Sequence, residues 1–499
     1  MELFLILLVL GGITYLLVHR SASGLTSTPI WLLWLAVMIP AFTWSFWLLF
    51  VGEEQPIPIL LMLIPFIVSP LLYFWLLQRG IKDKTALKSS ASDTETKETL
   101  TPTILDKNPP HDKKDQRILT PQEEEDLKTC FPWEFYYLQN VDYGGQAVLC
   151  RGKLRTVPER AYHKIRGNVQ EKFGDRFLIL FQESFQGEPF FALVPNPKKE
   201  EKETPIKDEL NKPWLALSLG IITLFTTTIV GVEFKNISPQ EFQSDPSLLL
   251  QGLPYALSLI WILGCHEFSH YFTALYYKIK ATLPYFIPVP FFLGTFGAFI
   301  QMKSPVPHRK ALFDVAIAGP LGGFIMTVPI LIWGLSLSEV VPISEESALL
   351  TIESLDPRSS FLMTLFCKIS LGSDFVAETA INLHPIAIAG YIGLIITALN
   401  LMPVGQLDGG HIVHAIYGQR TAVIVGQVSR LLMLFLALIE PTFLIWTIFL
   451  FFMPILDEPA LNDVTELDSM RDLLGLLALV LLVTILLPLP ETFINLLNV

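Results

Sequence analysis

A chain of 499 residues that is 51% hydrophobic and only 16% charged is too apolar for a soluble globular protein, in which about a quarter of residues carry charge. Its mean hydropathy of +0.49 places it in the membrane class, and a net charge of −12 argues against nucleic acid as a partner. The four cysteines (Cys130, Cys150, Cys265, Cys367) include no C-x-x-C pair, so they read as small buried hydrophobes, not as a disulfide framework or zinc ligands.

Residues 1–78 contain three apolar runs, 3–18, 31–51 and 58–78, each long enough to predict a membrane span. The first lacks a basic leader and a small-residue cleavage site, so it reads as a retained span, and no Arg- and Ser-rich transit sequence is evident. Residues 79–128 change character, with Lys82-Asp83-Lys84 and Glu123-Glu124-Glu125-Asp126 in a stretch of few apolar residues. This reads as a flexible charged linker.

Residues 129–200 predict a small soluble α/β domain. Strands are expected at Gln146–Arg151, Arg176–Glu183 and Phe190–Pro195, and a helix at Pro158–Phe173 with proline in its first turn. The helix carries Arg160, Lys164, Arg166 and Lys172, which face either solvent or lipid phosphates.

A second membrane domain, 213–490, opens with a span at Trp214–Val232 and continues into an apolar run from Leu253 to Tyr277. Within that run lies His266-Glu267-Phe268-Ser269-His270. Residues four apart on a helix lie about 40° apart around the axis and about 6 Å along it, so both imidazoles aim at one ion. Glu267 projects about 100° from His266, within reach of a water on that ion. This is the arrangement of a zinc hydrolase with a glutamate general base. Ionisable groups in hydrocarbon are costly, so three within five residues argue for function over coincidence.

Residues 281–301 do not read as a span. Pro284, Pro288 and Pro290 precede Gly294-Thr295-Phe296-Gly297, which suggests a hairpin or re-entrant loop beside the site. Further spans are expected at 311–335, 385–401, 422–439, 443–456 and 473–489, about ten in all. Ala318-Gly319-Pro320-Leu321-Gly322-Gly323 supplies small residues for close packing against the motif helix.

A catalytic zinc usually takes three protein ligands. The third candidate is Asp408, in Asn400-Leu401-Met402-Pro403-Val404-Gly405-Gln406-Leu407-Asp408-Gly409-Gly410. Two readings stand side by side: Asp408 as a ligand, or as a plain cap of the helix expected at His411–Tyr417. Asn400 either donates to a substrate carbonyl or caps its own helix end. His411 and His414 read as interfacial groups or supports of the ligands. Basic residues at Arg20, 79–84, Lys278, Lys280, 303–310 and Arg420 fall on one side of the predicted spans, which makes that side cytosolic and puts the soluble domain there. His270 lies close to the same side.

The four motifs together, His266-Glu267-x-x-His270, Gly294-Thr295-Phe296-Gly297, Ala318-Gly319-Pro320 and Asn400-x-x-Pro403-(x)4-Asp408-Gly409, resemble the site-2 protease family of intramembrane zinc metalloproteases. More narrowly the chain resembles the EGY group of chloroplasts and cyanobacteria. Gly152-Lys153-Leu154-Arg155 stands where that group has Gly-Asn-Leu-Arg, with lysine replacing asparagine. Phe173-Gly174-Asp175 and Pro459-Ala460-Leu461-Asn462-Asp463 are also similar to the group.

The resemblance implies a multi-pass helical membrane protein with a re-entrant β-hairpin near the active site, in the plasma or thylakoid membrane of a cyanobacterium. It implies one zinc held by His266, His270 and Asp408, with Glu267 as general base. Asn400, Gly294, Phe296 and Gly297 would contact substrate, and the substrates would be membrane-spanning proteins. Two rivals remain from the same residues. One is an inactive chaperone or scaffold of the same fold; the other is a divalent-metal transporter, disfavoured by the near absence of acidic residues elsewhere in the spans.

Overall fold

A computed structural model of the chain describes residues 28–51, 119–144, 147–184, 187–196, 212–235, 245–289, 293–342, 360–376, 379–439 and 443–488, with isolated residues between 11 and 79. Met1–Lys113 and Lys114–Val499 form two compact units. In the first, helix α1 (Ile30–Val51) is apolar on every face, with Pro40 inside it. The spans expected at 3–18 and 58–78 lie largely outside the described residues, as does most of the linker.

The linker prediction fails at its C-terminal end. Pro121–Thr129 is helix α2, because Thr120 and Glu123 form a reciprocal capping box and Glu123 pairs with Arg176 at 2.5 Å. The charge run is therefore the outer face of a packed helix whose Leu127 is fully buried.

The soluble domain is a four-stranded antiparallel sheet in the order β1-β2-β4-β3, formed by Tyr136–Gly144, Ala147–Leu154, Pro189–Pro195 and Phe177–Glu183 respectively. Helix α3 spans Pro158–Phe173 as expected and turns Ala161, Tyr162, Ile165 and Val169 inward. Its Arg160, Lys164, Arg166 and Lys172 are exposed. Phe181 and Phe191 stack at 4.1 Å in the core, and Tyr136 donates to the carbonyls of Cys150 and Pro189. Strand β1 is not anticipated from sequence. A register shift between Leu138 and Asn140 breaks its alternation, and its outward face is polar.

Among the described residues six helices are long and apolar enough to cross a membrane: Ile30–Trp47, Pro213–Glu233, Ser247–Tyr276, Arg309–Ser336, Gln419–Leu438 and Ser469–Leu486. We label the last five elements α4 (Pro213–Glu233), α5 (Leu253–Tyr276, entered through a 3₁₀ turn), α6 (Arg309–Ser336), α10 (Gln419–Ile439) and α12 (Ser469–Leu486). Helices α7 (Phe361–Leu371), α8 (Pro385–Leu401) and α9 (Asp408–Tyr417) lie between α6 and α10. The 17 residues of α8 fall short of the usual spanning length of about 20. The run 443–456 yields only the nine-residue α11 (Leu444–Phe452), because the backbone turns extended at Met453 before Pro454.

At the centre, α5 packs on α6 and α6 on α8, burying Leu259, Leu263, Ile317, Leu331, Ile388 and Ile392. Residues 281–302 form β5 (Tyr285–Pro288) and β6 (Thr295–Phe299), an antiparallel pair. A second pair, β7 (Glu339–Pro342) with β8 (Thr379–Asn382), closes the far ends of α6 and α8. One irregular stretch ties the soluble sheet to this bundle. Leu461 and Asn462 donate to the carbonyls of Val306 and Pro307 just before α6, while Phe181 of β3 donates to Leu461 at 2.7 Å.

Candidate active site

His266 and His270 lie one turn apart on α5, and both are buried, as is Glu267 between them. Their Nε2 atoms are 3.2 Å apart. Asp408 Oδ2 lies 3.5 Å from His266 Nε2 and 3.3 Å from His270 Nε2. These three atoms form a nearly equilateral triangle. A tetrahedral ion with ligands at about 2.0 to 2.1 Å needs ligand-to-ligand separations of about 3.3 Å, so the triangle is one face of such a shell.

The ring tautomer fits as well. His270 Nδ1 sits 2.7 Å from the Val315 carbonyl, which can only accept, so Nδ1 carries the proton and Nε2 keeps its lone pair for the centre. Pro320 in α6 has no N–H to give the Ala316 carbonyl, which relaxes the helix at the turn where His270 docks. Gly319 lies against the His270 ring, Gly322 against Ser269 and Gly323 against His266, so the small residues of α6 bring its backbone onto the ligand face of α5.

Asp408 reaches the centre through the chain reversal after α8. That helix ends at Leu401, Gly405 takes φ +53, and Gly409 and Gly410 pack against the carbonyls of Leu401 and Gly405. The capping position of α9 is Leu407, without a side-chain cap, so Asp408 is not spent on its own helix end. Asn400 Nδ2 is 3.3 Å from His266 Nε2, while the helix end is closed by the Met402 N–H. Neither side chain caps its own helix end, and both lie within 3.5 Å of the His266 imidazole.

The residues Gly294, Phe296 and Gly297 are not brought to the triangle. Gly294, at φ +80, is pressed against Thr227 of α4 and accepts from Thr226 Oγ1 at 2.7 Å. Phe296 is 66% exposed, and Gly297 faces open space. The end of the strand does the lining instead. A cavity of about 290 Å³ beside the triangle is bounded by Ala298, Phe299, Ile300, Asn400, Gln406 and His411 among others. The sequence singles out the glycines of this strand, and only its path past them reveals which residues face the ligands.

His411 and His414 lie outside the triangle. His411 Nδ1 is 2.8 Å from Asp457 Oδ1, and His414 is held at Nδ1 by Asp457 (2.5 Å) and at Nε2 by Asp463 (3.0 Å). Burial pulls the His414 imidazole down, but the two carboxylates outweigh it and raise it to about 9. Burial likewise opposes ionisation of Asp457, and the two histidines overcome this, bringing it to about 2.

Residues 254–439 match the family described as Peptidase family M50, and residues 125–202 match the EGY3 middle domain. The chain is 32% identical to the Arabidopsis thaliana protein named Probable zinc metalloprotease EGY2, chloroplastic, over 72% of this chain and 63% of that one. It is 31% identical to the Oryza sativa subsp. japonica protein named Probable zinc metalloprotease EGY1, chloroplastic, over 71% and 65%. It is 24% identical to the Arabidopsis protein named Probable zinc metallopeptidase EGY3, chloroplastic, over 62% and 55%. The chain thus spans less than two thirds of the length of these relatives. No solved structure matches it.

Proposed function

Because residues 254–439 belong to peptidase family M50 and the chain is homologous to the EGY zinc metalloproteases, we propose that it is a zinc metalloendopeptidase that cuts membrane-spanning proteins within the bilayer. The observation that carries this reading is the triangle of His266 Nε2, His270 Nε2 and Asp408 Oδ2, with edges of 3.2, 3.3 and 3.5 Å. These residues would hold one Zn²⁺. When bound, zinc supplies Lewis acidity, which makes water a nucleophile at neutral pH and polarises the scissile carbonyl.

The chain's own groups do the rest. Glu267 is buried beside both histidines and faces the backbone N–H of Ile300. Its carboxylate takes the proton shed by the attacking water and returns it to the amide nitrogen as the C–N bond breaks. The Asn400 amide donates to the carbonyl oxygen as negative charge grows on it. Ala298, Phe299 and Ile300 border the cavity, so a substrate stretch unwound from its helix lies along them and not along Gly294 or Phe296.

The basic residues support an orientation. Lys280 and Lys303 are joined backbone to backbone (2.6 Å) at the end of α5 where His270 lies, and the soluble sheet is tied to the Val306–Pro307 segment nearby. We assign this end to the cytosol, where water reaches the site, in the thylakoid or plasma membrane. Zinc ligands that all converge favour turnover over an inactive scaffold.

The test is full-length protein in proteoliposomes with a single-span model substrate. Glu267→Gln keeps zinc and loses cleavage by about 100-fold or more, and Asp408→Ala loses zinc. Cleavage by Glu267→Gln at the wild-type rate overturns the general-base assignment, and a zinc-free, inactive wild-type protein favours the scaffold.

A further inference from the structure

Four ionisable side chains with no part in the chemistry above are buried around the last two turns of α9, and a fifth stands beside them. His414 is fully buried, and Asp457, Asp463 and Arg309 are nearly so, while His411 is partly covered. Both ring nitrogens of His414 face carboxylates that can only accept, so His414 is an imidazolium fixed in orientation and closed to metal ligation. Asp457 Oδ2 is hydrogen-bonded to His414, and its Oδ1 lies 2.8 Å from His411 Nδ1 without hydrogen-bond geometry; the two histidines are i and i+3 on one face of α9. Arg309 closes the helix from its other end, donating Nε–H to the Ala415 carbonyl at 2.7 Å.

A ten-residue helix has little stability of its own, yet α9 begins with Asp408, whose oxygen must be placed to a few tenths of an ångström. The clamp reaches beyond the membrane bundle. Asp463, which holds His414 at 3.0 Å, donates its own backbone N–H to Phe181 of β3 at 2.8 Å. The neighbouring Asn462 lies between Phe181 on one side and His308 on the other, in parallel bridges to both. Strand β3 is the edge of its sheet, and the Leu461–Asp463 stretch covers that edge.

We infer that Asp457, His414 and Asp463 are positioning residues for Asp408, and that the edge of the soluble sheet is one wall of the clamp that holds them. The inference rests on the metal-site reading above. It gives the soluble domain a role: docking of β3 on the Leu461–Asp463 stretch sets the third ligand through His414 and α9.

The test uses full-length protein in detergent, with zinc affinity read by chelator competition and ligand geometry by the visible absorption of the Co²⁺-substituted protein. Asp463→Asn and Asp457→Asn are each expected to bind zinc at least tenfold more weakly, with an altered cobalt spectrum. Asp463→Glu, which returns the carboxylate, is expected to regain both. Wild type and Asp408→Ala calibrate the assay. If Asp408→Ala binds as wild type does, the metal-site reading fails. If Asp408→Ala weakens zinc and either Asn variant that elutes as a folded protein binds with wild-type affinity and spectrum, this inference fails alone.

Linkage gives a reciprocal arm that needs no variant. Stripping zinc from the wild type is expected to speed amide exchange at Phe181 and Asp463. Unchanged exchange at both removes the sheet from the clamp.

Discussion

Gly319 of α6 lies flat against the imidazole of His270, with no room between them for a side chain. The contact explains why a ligand-bearing helix packs on a stripe of glycines: the metal-facing ring is held by a backbone, through the Val315 carbonyl on one side and the Gly319 Cα on the other.

Gly319→Ala places a methyl inside the space of the His270 ring and should cost more than Gly323→Ala, whose methyl would stand 3.1 Å from His266 Nδ1. We expect zinc affinity to fall about 10- to 100-fold in the first and by a small factor in the second. Chelator competition on both variants checks the order, and equal losses would separate the glycines from the ligand geometry.

Asn400 touches His266 but stands outside the triangle. Asn400→Ala should therefore retain zinc while kcat falls about 100-fold, the usual cost of one oxyanion donor. Metal content measured beside cleavage kinetics tests this, since loss of zinc would make Asn400 a support of the site and not a donor.

The buried imidazolium of His414 fixes a pH dependence. Its pKa is raised in the fold to about 9, so its contribution is fully present below the unfolded value near 6.5 and is lost as pH climbs through 9. Asp457 is lowered to about 2, so its contribution is present above the unfolded value near 3.8 and lost as pH falls through 2. Thermal unfolding of the full chain should be highest between about pH 4 and 6.5 from these two groups. In the Asp463→Asn protein, where one carboxylate no longer raises the imidazole, the alkaline decline should be smaller and should end at lower pH.

Arg471 of α12 grips Asp314 of α6 with two bonds, at 2.6 and 2.8 Å, while Tyr277 at the end of α5 donates to the same carboxylate at 2.5 Å. With Arg471 partly exposed, Arg471→Ala should cost about 1 to 2 kcal/mol. Arg471→Lys should restore only part of that, because an ammonium cannot span both oxygens in the plane of the carboxylate. Chemical denaturation of the three proteins in one detergent measures the difference.

What can be read from the chain alone is whatever one element encodes by itself. The spacing of His266, Glu267 and His270 fixes a ligand face as soon as the run is helical, and Pro158–Phe173 forms a helix with the expected ends. Apolar runs mark α4, α5, α6 and α12 for the same reason: side-chain transfer energy is a local property. Reading failed where a local pattern was overruled or interrupted. The acidic run 123–126 became the face of a capped helix, and a register shift hid β1.

Tertiary structure alone decided the pairings across long separations. Asp408 meets His266 and His270, Ala298 to Ile300 line the cavity in place of Gly294 and Phe296, and His414 finds Asp463 beside the edge of a sheet that begins far upstream. Each of these depends on which helix faces approach closely enough for a polar side chain to leave water and find a partner. Periodicity states which face is apolar; it cannot state what that face will meet.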